Sequence, residues 1–139
     1  MIISKKLNDL SIKEKKDINN LILRNFNKSR LDTYETIFYF INENSIIGHI
    51  GVYYLKKYLC LNQLCVDSNY RNQRIATKLL IAIDNHFKNI PQILYIDKNK
   101  LNTNLLFDFY IKKGFKEMDY LETFNLTYNK EKEYIMIKK

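Results

Sequence analysis

The residues whose types and spacing most suggest a binding or catalytic role lie in the middle of the chain. Arg71 and Arg74 stand in a polar loop, and Lys78 follows one helical turn later. The loop joins an apolar strand that ends at Val66 to a helix that we expect to begin near Ile75. The first N–H groups of a helix lack backbone partners, and the helix dipole favours negative charge there. This arrangement predicts a site for phosphate or pyrophosphate.

The pattern after the loop supports a helix in this position. Apolar residues recur at the i, i+3, i+4 spacing that is typical of one buried helix face: Ala76, Leu79, Leu80, Ile83 and Phe87. Asn72, inside the loop, tolerates left-handed backbone better than most residues other than glycine. The alternative interpretation is an ordinary strand-to-helix turn whose arginines are solvated.

The same segment resembles the signature motif of the GNAT superfamily of acyl-CoA-dependent N-acyltransferases, Arg/Gln-x-x-Gly-x-Gly/Ala. Arg71 and Ala76 match the first and last positions, whereas Arg74 stands where the motif has its central glycine, which lets backbone approach phosphate closely. The resemblance implies that the amides of this loop hold the pyrophosphate of acetyl-CoA. The implied contacts are Leu64, Cys65, Val66, Arg71, Asn72, Gln73, Arg74, Ile75, Ala76 and Thr77.

A second resemblance lies downstream, where the string Tyr-Ile-Lys-Lys-Gly-Phe that begins at Tyr110 is similar to the Tyr-x-Lys-x-Gly-Phe of the family's last conserved helix. It implies that Tyr110, which we expect on the polar side of this helix, protonates the departing CoA thiolate. A phenol with an ordinary pKa of about 10 can donate at neutral pH. The family usually has Asn seven residues earlier; here Thr103 is flanked by Asn102 and Asn104, both candidate CoA contacts. The resemblance covers about residues 59–139.

The rest of the catalytic apparatus is less defined. The resemblance implies an oxyanion donor among the backbone N–H groups near Cys65 or Val66, because family strands splay there. Many relatives carry a Glu on the strand before the loop, but the segment 59–66 has neither Asp nor Glu. We therefore assign no base. Candidates from neighbouring elements are Glu35, His49 and Glu122, while Asn62 and Gln63 can only position a water. An amine with a pKa near neutral needs no base.

Hydrophobic periodicity predicts an α+β fold. Strands are expected at Ile2–Lys5, Tyr34–Ile41, Ile46–Leu55, Leu59–Val66, Ile93–Ile96, Phe115–Met118 and Tyr134–Lys138. A capping box of Ser11 and Glu14 begins a first helix, and the motif helix runs to about Lys88. Leu105, Leu106, Phe109 and Lys113 mark one face of a last helix, which Gly114 caps. This order matches a GNAT-like, mostly antiparallel central sheet flanked by helices, with a β-α-β acyl-CoA-binding core.

Composition limits the possible classes of protein. The 139 residues suit one domain, 1–139, and a net charge of +8 suits a polyanion such as CoA or nucleic acid, although the charge is spread along the chain. Cys60 and Cys65 should lie on opposite faces of one strand, which disfavours a mutual disulfide. With His49 and His86 the only histidines, no familiar metal-binding spacing exists.

These observations together predict an acetyl-CoA-dependent N-acetyltransferase, with acetyl-CoA as cosubstrate and no metal. The expected acceptor is a primary amine of a small molecule or of a protein or peptide, which attacks directly in a ternary complex. The apolar runs are too short to span a bilayer, so we expect a cytoplasmic protein, monomeric or homodimeric, without membrane or nucleic-acid partners. Two alternatives remain: a GNAT-fold module that binds acyl-CoA without catalysis, and a nucleic-acid-associated protein.

Overall fold

The computed structural model describes residues 1–119 and 121–139, with the side chains of 124 and 125 left aside. Within this part of the chain, seven strands form one sheet in the order β1-β2-β3-β4-β5-β7-β6, and β4 and β5 are its parallel pair. The strands are β1 Ile2–Lys6, β2 Thr36–Asn42, β3 Ser45–Leu55, β4 Tyr58–Val66, β5 Gln92–Asp97, β6 Lys116–Glu117 and β7 Glu133–Lys138. The helices are α1 Ile12–Asn25, α2 Ile75–His86 and α3 Thr103–Lys112. The expected α+β class and element order are confirmed.

Helix α1 covers one face of the sheet and begins at the predicted capping box. The Ser11 hydroxyl accepts from the Glu14 N–H at 3.0 Å, and the Glu14 carboxylate accepts from the Ser11 N–H at 2.8 Å. Glu14 also accepts from Lys5 and from the Tyr39 hydroxyl, so the cap ties α1 to strands β1 and β2. The buried residues of α1 are Ile18, Leu21 and Ile22.

Helices α2 and α3 cover the opposite face. Ile75, Leu79, Leu80 and Ile83 of α2 are buried, as the periodicity predicts. A Cβ at Gly48 of β3 would lie 2.8 Å from the Ile75 side chain, so glycine is what allows the start of α2 to lie against the sheet. Gly114, at φ +96°, ends α3 in a Schellman arrangement in which the Phe115 N–H donates to the Tyr110 carbonyl.

The buried face of α3 differs from the prediction. Thr103 and Tyr110 are buried and Leu106 and Phe107 half-buried, whereas Leu105 is exposed. Tyr110 therefore does not lie on the polar side of the helix. The sequence pattern misassigned this face because the apolar side chain of Leu105 lines an open cleft instead of the core.

Strand β4 contains a bulge that determines the geometry of the site. His49 and Gly51 of β3 pair with Cys65 and Asn62, so three steps on β4 oppose two on β3. Gln63, the residue within the bulge, has a left-handed φ of +53°. The extra residue inverts the alternation of side chains beyond it.

The two cysteines illustrate this inversion. Cys60 pairs with Tyr53 and Cys65 pairs with His49, and residues 49 and 53 lie four apart on the same face of β3. The expectation that Cys60 and Cys65 lie on opposite faces is therefore wrong, because the bulge was not visible in the sequence. Both thiols are free and buried.

Candidate active site

The candidate site lies where the two parallel strands separate. β4 and β5 pair at Leu59–Gln92 and Cys60–Ile93 and, within the described residues, no further. Beyond that point a cavity of about 230 Å³ lies between Leu61, Asn62 and Gln63 on one strand and Tyr95 and Asp97 on the other. A second cavity, of about 660 Å³, lies between the end of β4, the start of α2 and helix α3.

Tyr110 lies at the wall that the two cavities share. Its side chain lines both, together with Phe26, Leu64, Lys100 and Leu106. The ring packs edge-on against Phe109 and Phe115, with centroid distances of 5.2 and 5.5 Å, which fixes its orientation. Burial raises the pKa of the Tyr110 phenol above its ordinary value, so the hydroxyl carries its proton throughout the physiological range. A proton donor is thus held between the two cavities.

The loop before α2 has the backbone conformation that suits anion binding. Asn72 and Arg74 are left-handed, with φ of +66° and +61°. Arg74 is the N-cap of α2 and makes no side-chain cap hydrogen bond. A left-handed residue followed by helical ones points successive N–H groups into one concavity, which is a common anion-binding arrangement. The loop thus accommodates a non-glycine residue at the motif's central position.

Arg71 fastens this loop to its surroundings. Its Nε donates to the Val66 carbonyl at 3.3 Å, and a terminal nitrogen donates to Asn25 Oδ1 at 2.9 Å. Asn25 is the last residue of α1, so Arg71 links the end of β4 to the end of that helix. Its side chain and those of Cys65 and Ala76 line the larger cavity.

The N–H of Val66 points toward the gap between the strands. The Asp67 N–H donates to the Ile47 carbonyl of β3 at 2.7 Å. Because N–H groups alternate between the two sides of a strand, that of Val66 is directed to the side from which β5 has diverged. The backbone therefore places a donor beside the larger cavity, in the region where the resemblance implies an oxyanion donor.

Comparison with known proteins identifies the family to which this chain belongs. A family model described as Acetyltransferase (GNAT) domain matches residues 33–117. The chain belongs to the GNAT acetyltransferase family. No curated protein matches the sequence.

Solved structures share the GNAT fold over nearly the whole chain. An acyl-CoA N-acyltransferase from Pseudomonas aeruginosa is 14% identical at a TM-score of 0.76, with 100% of this chain and 99% of that chain covered. Arabidopsis thaliana Naa50, in complex with the bisubstrate analogue CoA-Ac-MVNAL, is 17% identical at 0.71, with 99% and 98% covered. PaiA N-acetyltransferase from Thermoplasma acidophilum, in complex with coenzyme A, is 17% identical at 0.69, with 100% and 99% covered.

The residues that the GNAT motifs predict as CoA contacts do not all reach the larger cavity. Leu64, Cys65, Val66, Arg71, Ala76 and Asn102 line it. Ile75 is buried under Gly48, and Asn104 is exposed on α3 outside the cavity lining. Thr103, which stands where the family usually has Asn, donates to the carbonyls of Asp97 and Lys100 at 2.6 and 2.7 Å. This residue therefore fixes the start of α3 to the end of β5.

None of the three candidate bases lines either cavity. His49 is fully buried, and burial lowers its pKa to about 4. Glu122 pairs with Lys139 at 3.0 Å, which lowers the pKa of its carboxyl. Glu35 is exposed and accepts weakly from the Tyr54 N–H at 3.4 Å. Their positions exclude a direct role for these side chains in the cavities.

Sequence reasoning missed the charged residues of the smaller cavity, which are Arg30, Asp97 and Lys100. Arg30 belongs to the loop after α1, and Lys100 to the loop after β5, which no motif marks. Asp97 is the last residue of β5, and its position after a buried strand was a usable signal. No group of three His, Cys, Asp and Glu side chains in the described ranges is placed to hold a metal ion. None of the helices described is long and apolar enough to cross a bilayer.

Proposed function

We propose that this GNAT protein transfers an acetyl group from acetyl-CoA to a primary amine, with Tyr110 as the general acid. The observation that carries the proposal is the position of Tyr110 at the wall shared by two cavities, one beside the loop that precedes α2 and one in the gap between β4 and β5. The first suits an acyl-CoA and the second an acceptor. Two structural neighbours, in complex with coenzyme A and with a CoA-peptide analogue, support an acyl-CoA as the cosubstrate.

We assign acetyl-CoA to the larger cavity, with its pyrophosphate on the amides of residues 71–77. The left-handed Arg74 and the start of α2 give the N–H groups, and Arg71 and Lys78 add positive charge. Leu64, Leu105 and Phe109 give the apolar wall that the pantetheine chain requires.

The reaction needs few groups. The amine nitrogen attacks the thioester carbonyl carbon, the oxyanion that forms accepts a hydrogen bond from the Val66 N–H, and the C–S bond breaks as the carbonyl re-forms. The thiolate takes the Tyr110 proton, and the proton lost by the amine passes to water and finally returns the phenol to its neutral form. Each proton transfer of this kind is typically worth about 10²–10⁴-fold in rate.

Direct attack, without an acetyl-enzyme intermediate, is favoured by the state of the cysteines. Cys65 lines the larger cavity, but burial raises the pKa of its thiol to about 12, and it raises that of Cys60 to about 11. The nucleophile in thiol chemistry is the thiolate, so neither cysteine is activated to accept an acetyl group.

Binding of acetyl-CoA tests this assignment. A ligand specific for the native state raises the melting temperature by mass action. We expect micromolar acetyl-CoA to raise it and to give calorimetric heat at 1:1 stoichiometry, with Arg71→Gln weakening both effects. A protein that gives neither shift nor heat would remove the basis for this function.

We expect the reaction to take place in the cytoplasm.

A further inference from the structure

The smaller cavity has a charged wall that its place in the fold explains. Leu94 and Ile96 of β5 pack with the core around α2 and α3, while Tyr95 packs toward the opposite face. Asp97 follows the same alternation as Tyr95 and therefore belongs to the α1 face. The loop after α1 brings Arg30 to this face, and the loop after β5 brings Lys100. The three charged residues thus line the same cavity as Tyr110.

These charges have no counter-ions within the part of the chain that the structure describes. The ion pairs there involve other residues. Asp97 accepts only a local hydrogen bond from the Asn99 N–H, at 2.8 Å. The Lys100 ammonium lies over the Phe26 ring, 5.2 Å from its centroid, and the backbone N–H of Arg30 donates to Gln63 Oε1 at 2.9 Å. Arg30, Asp97 and Lys100 are thus exposed residues that line the cavity without an ion pair among the described residues.

We infer that the acceptor is a small amine that also carries an anionic group, a carboxylate or a phosphate. This inference rests on the proposed function and names its substrate class. Arg30 and Lys100 would bind the anionic group, for which guanidinium and ammonium donors are suited. Asp97 would bind the amine as it arrives in its ammonium form.

Size and charge disfavour the other acceptor classes. A volume of about 230 Å³ is below the roughly 300–1,000 Å³ of pockets that hold drug-sized ligands. A polyamine would bring further positive charge against Arg30 and Lys100, and like charges in such proximity cost affinity. A compact molecule with opposite charges complements all three residues.

The test uses matched acceptors that differ in the anionic group alone. The pairs are L-alanine with L-alaninamide, and O-phosphoethanolamine with ethanolamine; spermidine and a short peptide are further acceptors. At saturating acetyl-CoA, we expect kcat/KM for the anionic member of one pair to exceed that of its uncharged partner at least tenfold. The pair that shows this preference identifies the anionic group of the acceptor as a carboxylate or a phosphate. Equal values in both pairs, or a preference for spermidine or the peptide, would overturn the inference.

Substitutions of Arg30 and Lys100 test whether these charges cause the preference for anionic acceptors. Arg30→Gln and Lys100→Gln should each lower the ratio of kcat/KM between the anionic and the uncharged member about tenfold. Lys16→Gln, an exposed lysine of α1 outside both cavities, should leave the preference unchanged. A preference that survives in both cavity variants would contradict the assignment.

A binding measurement separates this inference from the proposed function. In the presence of CoA, the anionic member of a pair should raise the melting temperature more than its uncharged partner at equal concentration, whether or not either is acetylated. Equal shifts would overturn the inference. Failure of acetyl-CoA itself to bind would instead overturn the proposed function.

Discussion

The Nδ1 atom of His49 lies 3.0 Å from the carbonyl oxygen of Gln63, the residue within the bulge of β4. Among the described residues, the other ring nitrogen of His49 is buried without a hydrogen-bond partner. Burial lowers the pKa of this imidazole to about 4, so the ring is neutral at pH 7 and Nδ1 carries the proton that it donates. His49 therefore fixes the bulge instead of acting as a base.

The Gln63 side chain connects the bulge to the loop that bears Arg30. Its Oε1 accepts from the Arg30 N–H at 2.9 Å and from the Tyr34 hydroxyl at 2.7 Å, and its Nε2 donates to the Lys28 carbonyl at 2.8 Å. The bulge thus directs the Val66 N–H to the strand gap, and the side chain of Gln63 within it holds the loop that bears Arg30.

We expect substitutions of Gln63 to reveal both its side-chain bonds and its backbone strain. Gln63→Ala loses three hydrogen bonds, worth about 0.5–1.5 kcal/mol each, and keeps the left-handed backbone. Gln63→Gly loses the same bonds but relieves roughly 1 kcal/mol of strain. The free energy of unfolding in urea should therefore fall in the order wild type, glycine variant, alanine variant. Equal stability of the two variants would show that the backbone conformation at residue 63 carries no strain.

The buried histidine predicts a specific pH dependence of stability. The pKa of His49 is 6.5 unfolded and about 4 folded, so the unfolded chain binds more protons between these values. Stability from this group is complete above pH 6.5 and is lost as the pH falls toward 4, by about 3 kcal/mol in total. His49→Asn keeps a hydrogen-bond donor and does not titrate. The free energy of unfolding of this variant should therefore fall by about 3 kcal/mol less than that of wild type between pH 6.5 and pH 4. His86→Asn, at an exposed histidine, is the control, and a wild-type curve parallel to that of His49→Asn would refute this account.

We expect Tyr110→Phe to lower turnover by about 10²–10⁴-fold, because it removes the proton donor. The affinity for acetyl-CoA should change little, because the ring stays packed against Phe109 and Phe115. Steady-state kinetics and calorimetry on the same preparation measure both. Tyr134→Phe, a tyrosine of β7 outside both cavities, should retain turnover. Undiminished turnover in Tyr110→Phe would mean that water supplies the proton.

Arg74 combines backbone strain with a charge near the expected phosphates. Its φ is +61°, so Arg74→Gly should relieve roughly 1–2 kcal/mol while it removes the charge. Arg74→Ala removes the charge and relieves nothing, so it should bind acetyl-CoA more weakly than wild type and the glycine variant. Calorimetry gives the order of the three dissociation constants. Tighter binding by the alanine variant than by wild type would show that the arginine obstructs the phosphates and would favour a module without catalysis.

Local signals in the sequence predicted most of the fold. The capping box at Ser11, the helix that begins at Ile75 and the glycine cap at Gly114 each depend on neighbouring residues, and all three are present in the structure. The left-handed tolerance of Asn72 is likewise realised. Such features follow from short-range chemistry that one sequence displays.

The parts that were missed depend on long-range pairing. No residue type announces the bulge at Gln63, because it results from the register between β3 and β4. That bulge reversed the expected placement of Cys60 and Cys65. The buried face of α3 was misassigned because an apolar cleft wall and an apolar core produce the same pattern. Arg30, Asp97 and Lys100 come together only when three separate segments meet.

The most direct test of the central claim is mass spectrometry of amines incubated with the protein and acetyl-CoA that carries an isotopic label in its acetyl group. We predict labelled N-acetyl product in an amount equal to the CoA released, formed far more slowly by Tyr110→Phe. If acetyl-CoA binds but CoA is released only at the uncatalysed rate and no amine gains the label, the protein binds acyl-CoA without transferring the acyl group, and the proposed catalysis is wrong.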